Sequence, residues 1–71
     1  MILTKQQLKI FDFIVNFKKK NRVAPTVREI AKATYKNTKH HSSVWRILIE
    51  LDKKGYIKKH TAMARGIEVL K

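Results

Sequence analysis

Between positions 40 and 46 the chain sets out two imidazoles, two hydroxyls, an indole and a guanidinium, on His40, His41, Ser42, Ser43, Trp45 and Arg46. Two kinds of chemistry use such a cluster. The histidines can ligate a metal, or the whole set can serve as a dense array of hydrogen-bond donors. Metal binding is the weaker fit. Neighbouring histidines on a helix point in different directions, the chain has no cysteine, and no carboxylate accompanies them closely. No metal site and no cofactor are expected. A second set of polar and cationic residues lies on both sides of the cluster: Thr26, Arg28, Lys36, Lys39, Lys58, Lys59 and Arg65. Seventeen Lys and Arg against five Asp and Glu give a formal charge of +12. That imbalance calls for a polyanionic partner, either nucleic acid or an anionic membrane surface.

Composition narrows the choice. Seventy-one residues amount to one small domain, expected to span 1–71. A 44% hydrophobic content is that of a folded chain rather than a disordered tail. No stretch approaches the ~20 apolar residues that cross a bilayer, and the N-terminus lacks the pattern of a secretory signal. The missing cysteines fit an intracellular protein. Five scattered acids and two glycines, with no glycine-rich loop, leave little from which to build a catalytic site. An enzyme is not expected, and a nucleic-acid-binding module is.

The elements that must position these residues can be read in order. Thr4 with Gln7 has the form of a capping box. It opens a helix over about 5–20, where Leu8, Ile10, Phe11, Phe13, Ile14, Val15 and Phe17 recur at helical spacing. Pro25 breaks the chain. Thr26 and Glu29 form a second capping box for a short helix through about Ala33, with Val27, Ile30 and Ala31 inward. A polar turn over 34–39 follows. A third helix begins near His40 or His41 and runs to Lys54, its core face made by Val44, Ile47, Leu48 and Leu51. Gly55 is placed to stop it in a left-handed conformation. The segments 56–60 and 66–70 read as two strands of a hairpin. The fold class is therefore α+β, mainly α: a winged helix-turn-helix of three helices and a C-terminal two-stranded β-hairpin wing. A very short first strand over 24–26, pairing with the hairpin, is a further expectation.

In such a fold the third helix reads base edges with its first turns. Arg46 is the leading candidate, because its guanidinium can donate two hydrogen bonds to guanine O6 and N7. The competing reading is a solvated arginine paired with Glu50 one turn on. Ser42 and Ser43 suit a phosphate or a base edge, or one of them caps the helix. Trp45 either flanks the core or packs on a thymine methyl or the sugar–phosphate backbone. Partial burial with one edge toward nucleic acid is expected. Thr26, Arg28, Lys36 and Lys39 are assigned to the backbone, and Lys58, Lys59 and Arg65 to a wing that lies on the backbone or inserts in the minor groove. On the first helix Val15 and Phe17 are the residues expected to spill outside the core; they either offer a surface to a second copy or to another regulator, or belong to a helix packed on both sides in a small domain.

The sequence resembles the N-terminal DNA-binding domain of the LexA repressor family. The resemblance rests on Leu3-Thr4 with Gln7 and Phe11-Asp12, then on 24–31 (Ala-Pro-Thr-Val-Arg-Glu-Ile-Ala). It resumes at Leu48, Leu51 and Lys54-Gly55, and closes with 64–67 (Ala-Arg-Gly-Ile) and Leu70. It implies a winged-helix DNA binder whose third helix enters the major groove. The turn over 34–39 is longer than in that family. The family's self-cleaving C-terminal domain, with its serine and lysine pair, is not matched. The expectation is a stand-alone regulator of phage or mobile-element type that is not switched off by self-cleavage.

The functional expectation is a sequence-specific double-stranded DNA-binding transcriptional regulator, a repressor that works by occupying its operator. Two alternatives stay open. One is a low-specificity architectural protein driven by charge; the other is a winged-helix protein-interaction module, an antirepressor or adaptor.

Overall fold

The computed structural model describes residues 3–36, 41–60 and 66–70. Three helices, α1 (Lys5–Asn21), α2 (Val27–Tyr35) and α3 (His41–Lys53), precede two strands, β1 (Ile57–Lys59) and β2 (Ile67–Val69). The helix and strand order matches the winged helix-turn-helix expectation.

Both capping boxes form. Thr4 Oγ1 accepts from the Gln7 amide and Gln7 Oε1 accepts from the Thr4 amide, each at 3.1 Å. At α2 the Thr26 hydroxyl accepts from the Glu29 amide at 3.1 Å, and Glu29 Oε1 accepts from the Thr26 amide at 2.8 Å. Each box satisfies amides that a helix start leaves without intrahelical partners. The first two helices run slightly past their expected ends and close on left-handed residues, Arg22 (φ 61°) and Lys36 (φ 59°). The end of α3 is fixed by Gly55, at φ 80°. Its amide bonds the Asp52 carbonyl and the Tyr56 amide bonds the Leu51 carbonyl, each at 3.0 Å. These two bonds make a Schellman motif.

The core joins all five elements: Ile10 and Ile14 from α1, Ile30 and Ala31 from α2, Val44, Leu48 and Leu51 from α3, and Ile57 and Ile67 from the strands. α2 and α3 pack against each other, α1 lies on both, and β1 packs on α3. Phe11 meets Tyr56 edge to face, with centroids 5.3 Å apart. Gln7, buried on α1, also accepts a 2.7 Å hydrogen bond from Lys54 Nζ and so ties α1 to the end of α3.

The strands pair antiparallel with Ile57 opposite Val69, Lys58 opposite Glu68 and Lys59 opposite Ile67. One further bond beyond each end, from the His60 amide to the Gly66 carbonyl and from the Leu70 amide to the Tyr56 carbonyl, extends the ladder. The short first strand is a correction. Residues 24–26 carry no strand, and the sheet among the described residues has two. Pro25 has no amide hydrogen to give, and the Thr26 amide is already spent on Glu29 Oε1.

Val15 and Phe17 spill outside the core only in part. Both are half-buried. The Phe17 ring tilts against Phe13 at 5.7 Å between centroids, and Val15 shares a groove with Val69, Lys18 and Lys19. The apolar side chain that α1 leaves in solvent is Leu8.

Candidate nucleic-acid interface

With Val44, Leu48 and Leu51 committed to the core, the helical repeat turns residues 42, 43 and 46 away from it. The structure agrees: Ser42, Ser43, Trp45 and Arg46 are all exposed along the first two turns of α3, with His41 exposed at its start. Since α3 begins at His41, Ser42 and Ser43 stand inside the first turn and neither is its cap. Both are exposed. Arg46 is exposed, and no ion pair to Glu50 is found among the described residues.

Trp45 is the residue around which the site is organised. The residue is 37% exposed. It lines an open groove of about 330 Å³ with Val27 and Arg28 from the start of α2 and His41 from the start of α3. Lys59 Nζ sits 4.0 Å from the centroid of the same indole, a cation–π contact between wing and helix. The backbone amide of Lys59 donates to Asp52 Oδ2 at 3.0 Å. Two bonds of different kinds therefore fix the first strand of the wing against α3.

The remaining candidates are placed by their own elements. Arg28 is exposed in the first turn of α2, and Lys36 is exposed at its left-handed end. Lys58 is exposed on β1. Thr26 is half-buried with its hydroxyl engaged in the capping box, which makes it a positioning residue for Arg28 and the groove. Lys39, His40 and Arg65 lie outside the described residues. Among the described residues no three His, Cys, Asp or Glu gather as metal ligands, and no helix is long and apolar enough to cross a membrane.

Sequence reasoning did not find two parts of this site. It turned Val27 wholly inward, whereas the residue packs against the core and also lines the groove. It did not pair Lys59 with another element, and the Lys59 ammonium sits over the Trp45 ring. Helical and strand periodicity reports which way a residue points within its element; it carries no signal for a pair made between elements.

A helix-turn-helix with an exposed polar third helix and a two-stranded wing has one decisive comparison. The family model of the LexA DNA binding domain matches residues 1–66. The chain belongs to the LexA DNA-binding domain family. It is 40% identical over 68 residues to a LexA repressor of Petrotoga mobilis, covering 96% of this chain and 32% of that protein. A LexA repressor of Thermosipho melanesiensis is 38% identical over 69 residues, covering 97% of this chain and 33% of its own length. One from Caldicellulosiruptor saccharolyticus is 41% identical over 68 residues, with 96% and 33% covered. The chain thus spans about a third of the length of these curated relatives. In this LexA-type domain the groove of Val27, Arg28, His41 and Trp45 lies where the two helices of the helix-turn-helix begin.

Proposed function

We propose that the chain is a sequence-specific double-stranded DNA-binding transcriptional repressor that acts by occupying its operator. The observation that carries this reading is the outward face of α3, with Ser42, Ser43, Trp45 and Arg46 exposed together on a domain of the LexA DNA-binding family. α3 enters the major groove, and His40, His41, Ser42, Ser43, Trp45 and Arg46 supply the contacts to bases and nearby phosphates. Arg28, Lys36, Lys39 and Lys58 neutralise backbone phosphates, with Lys59 and Arg65 bringing the wing to the backbone or the minor groove. Thr26 fixes the start of α2. No step in this function makes or breaks a covalent bond, and no cofactor enters it. The chain works where the DNA is, inside the cell.

Selection from a pool of randomised duplex DNA at two salt concentrations tests the reading. One enriched motif that persists at the higher salt is the expected result. An unenriched pool whose affinity collapses as salt rises would replace it with charge-driven architectural binding. Intact affinity after Arg46→Ala and Arg65→Ala, with the fold preserved, would favour the protein-interaction module.

Exposed apolar side chains favour one addition. Leu8 on α1 is 47% exposed and Leu70 beyond β2 is 53% exposed, with Val15 half-buried on α1. These exposed side chains support a homodimer, or a contact with another regulator, through α1. Sedimentation of wild type and Leu8→Lys should show a larger mass only for wild type. The same monomeric mass for both, with the fold kept, would contradict the dimer.

A further inference from the structure

We propose that Trp45 and the groove beside it read the C5-methyl group of a thymine, making Trp45 a specificity-determining residue of the α3 face. The inference rests on the DNA-binding reading above and names which base one of its residues selects. Three observations support it. Trp45 is 37% exposed on a chain of formal charge +12, close to the cations Arg28 and Lys59. The groove it lines is walled by an apolar pair, Val27 and Trp45, with Arg28 and His41 completing it. Lys59 Nζ sits over the indole at 4.0 Å, and the Lys59 backbone is tethered to Asp52 Oδ2. That contact holds the ring in one orientation before any ligand arrives.

Phosphate contacts suit the cations and at most the indole N–H; the apolar faces of the indole and the valine are left without a match. These gain only when water is removed from them by an apolar group. The edges that bases show in the major groove carry hydrogen-bond donors and acceptors throughout, and the thymine methyl is their one apolar feature. A pre-oriented indole beside Val27 matches it, while Arg28 on the groove wall reaches the adjoining phosphate. Arg46, one residue along α3, stays available to a guanine edge. Together they would read a short step containing both bases.

Replacing thymine by deoxyuracil removes only the methyl group and leaves every hydrogen bond in place. The test takes the duplex recovered by selection and substitutes deoxyuracil at each thymine in turn, measuring affinity for wild type and Trp45→Ala. At one or two thymines wild type should lose about fourfold, the value of one buried methyl-sized group. Trp45→Ala should bind the thymine and deoxyuracil duplexes equally at those positions. Trp45 is the chain's single tryptophan, so its fluorescence gives a second readout without any variant. The emission change on binding should be larger for the thymine duplex than for its deoxyuracil counterpart. Deoxyuracil that is neutral throughout in wild type, or a penalty that persists unchanged in Trp45→Ala, would overturn the inference and leave DNA binding standing. A pool with no enriched sequence would overturn the DNA reading itself, and this inference with it.

Discussion

Gln7 shows how one side chain serves two levels of structure. Its Oε1 closes the capping box of α1 through the Thr4 amide and accepts from Lys54 Nζ at the end of α3. Gln7→Leu keeps much of the volume but removes the acceptor that the Thr4 amide and the Lys54 ammonium share. We expect a loss of about 1–3 kcal/mol in denaturant unfolding. Gln7→Glu keeps both acceptor roles and turns the Lys54 bond into an ion pair, so its loss should be the smaller of the two. Equal losses would show that the link to Lys54 does not matter. The cap half of this arrangement is legible in the sequence, because Thr4 and Gln7 are three residues apart and capping is local. The link to Lys54 spans 47 residues and leaves no trace in periodicity. The same holds for Lys59 and Trp45, which meet only because β1 packs on α3.

At the scale of elements, helix starts and stops decide where the interface residues stand. Thr26→Ala removes the hydroxyl that accepts from the Glu29 amide and should cost about 1 kcal/mol. Because Arg28 and Val27 lie in the turn that this cap fixes, DNA affinity should also fall while α3 stays folded by circular dichroism. Gly55 tests the other end. A Cβ at this position meets nothing within 4 Å, so the penalty of Gly55→Ala comes from its φ of +80° alone. We expect about 1–2 kcal/mol of destabilisation, less for Gly55→Asn; no measurable change would contradict the Schellman stop. Both caps, the glycine stop and the spacing of the core residues were readable, since each is written in neighbouring residues. The expected strand over 24–26 was not correct. An extended backbone before a helix looks like a strand in sequence, and only the capping box reveals that the Thr26 amide is already engaged. The apolar excess of α1 was readable too, but not its position. Phe17 finds Phe13, while Leu8 is left in solvent.

Over the whole molecule, a charge of +12 on 71 residues ensures affinity for duplex DNA without ensuring selectivity. On the proposed function, different residues carry these two properties: selectivity belongs to the face of α3, general affinity to cations such as Lys58 on the wing. The most direct test compares binding of the selected duplex and a scrambled duplex across a salt series, for wild type, Arg46→Ala and Lys58→Ala. Arg46→Ala should lose about 1–3 kcal/mol on the selected duplex and much less on the scrambled one. Lys58→Ala should weaken both duplexes alike and lower the salt slope by about one. Equal weakening of both duplexes by Arg46→Ala would contradict the claim that the exposed face of α3 reads sequence.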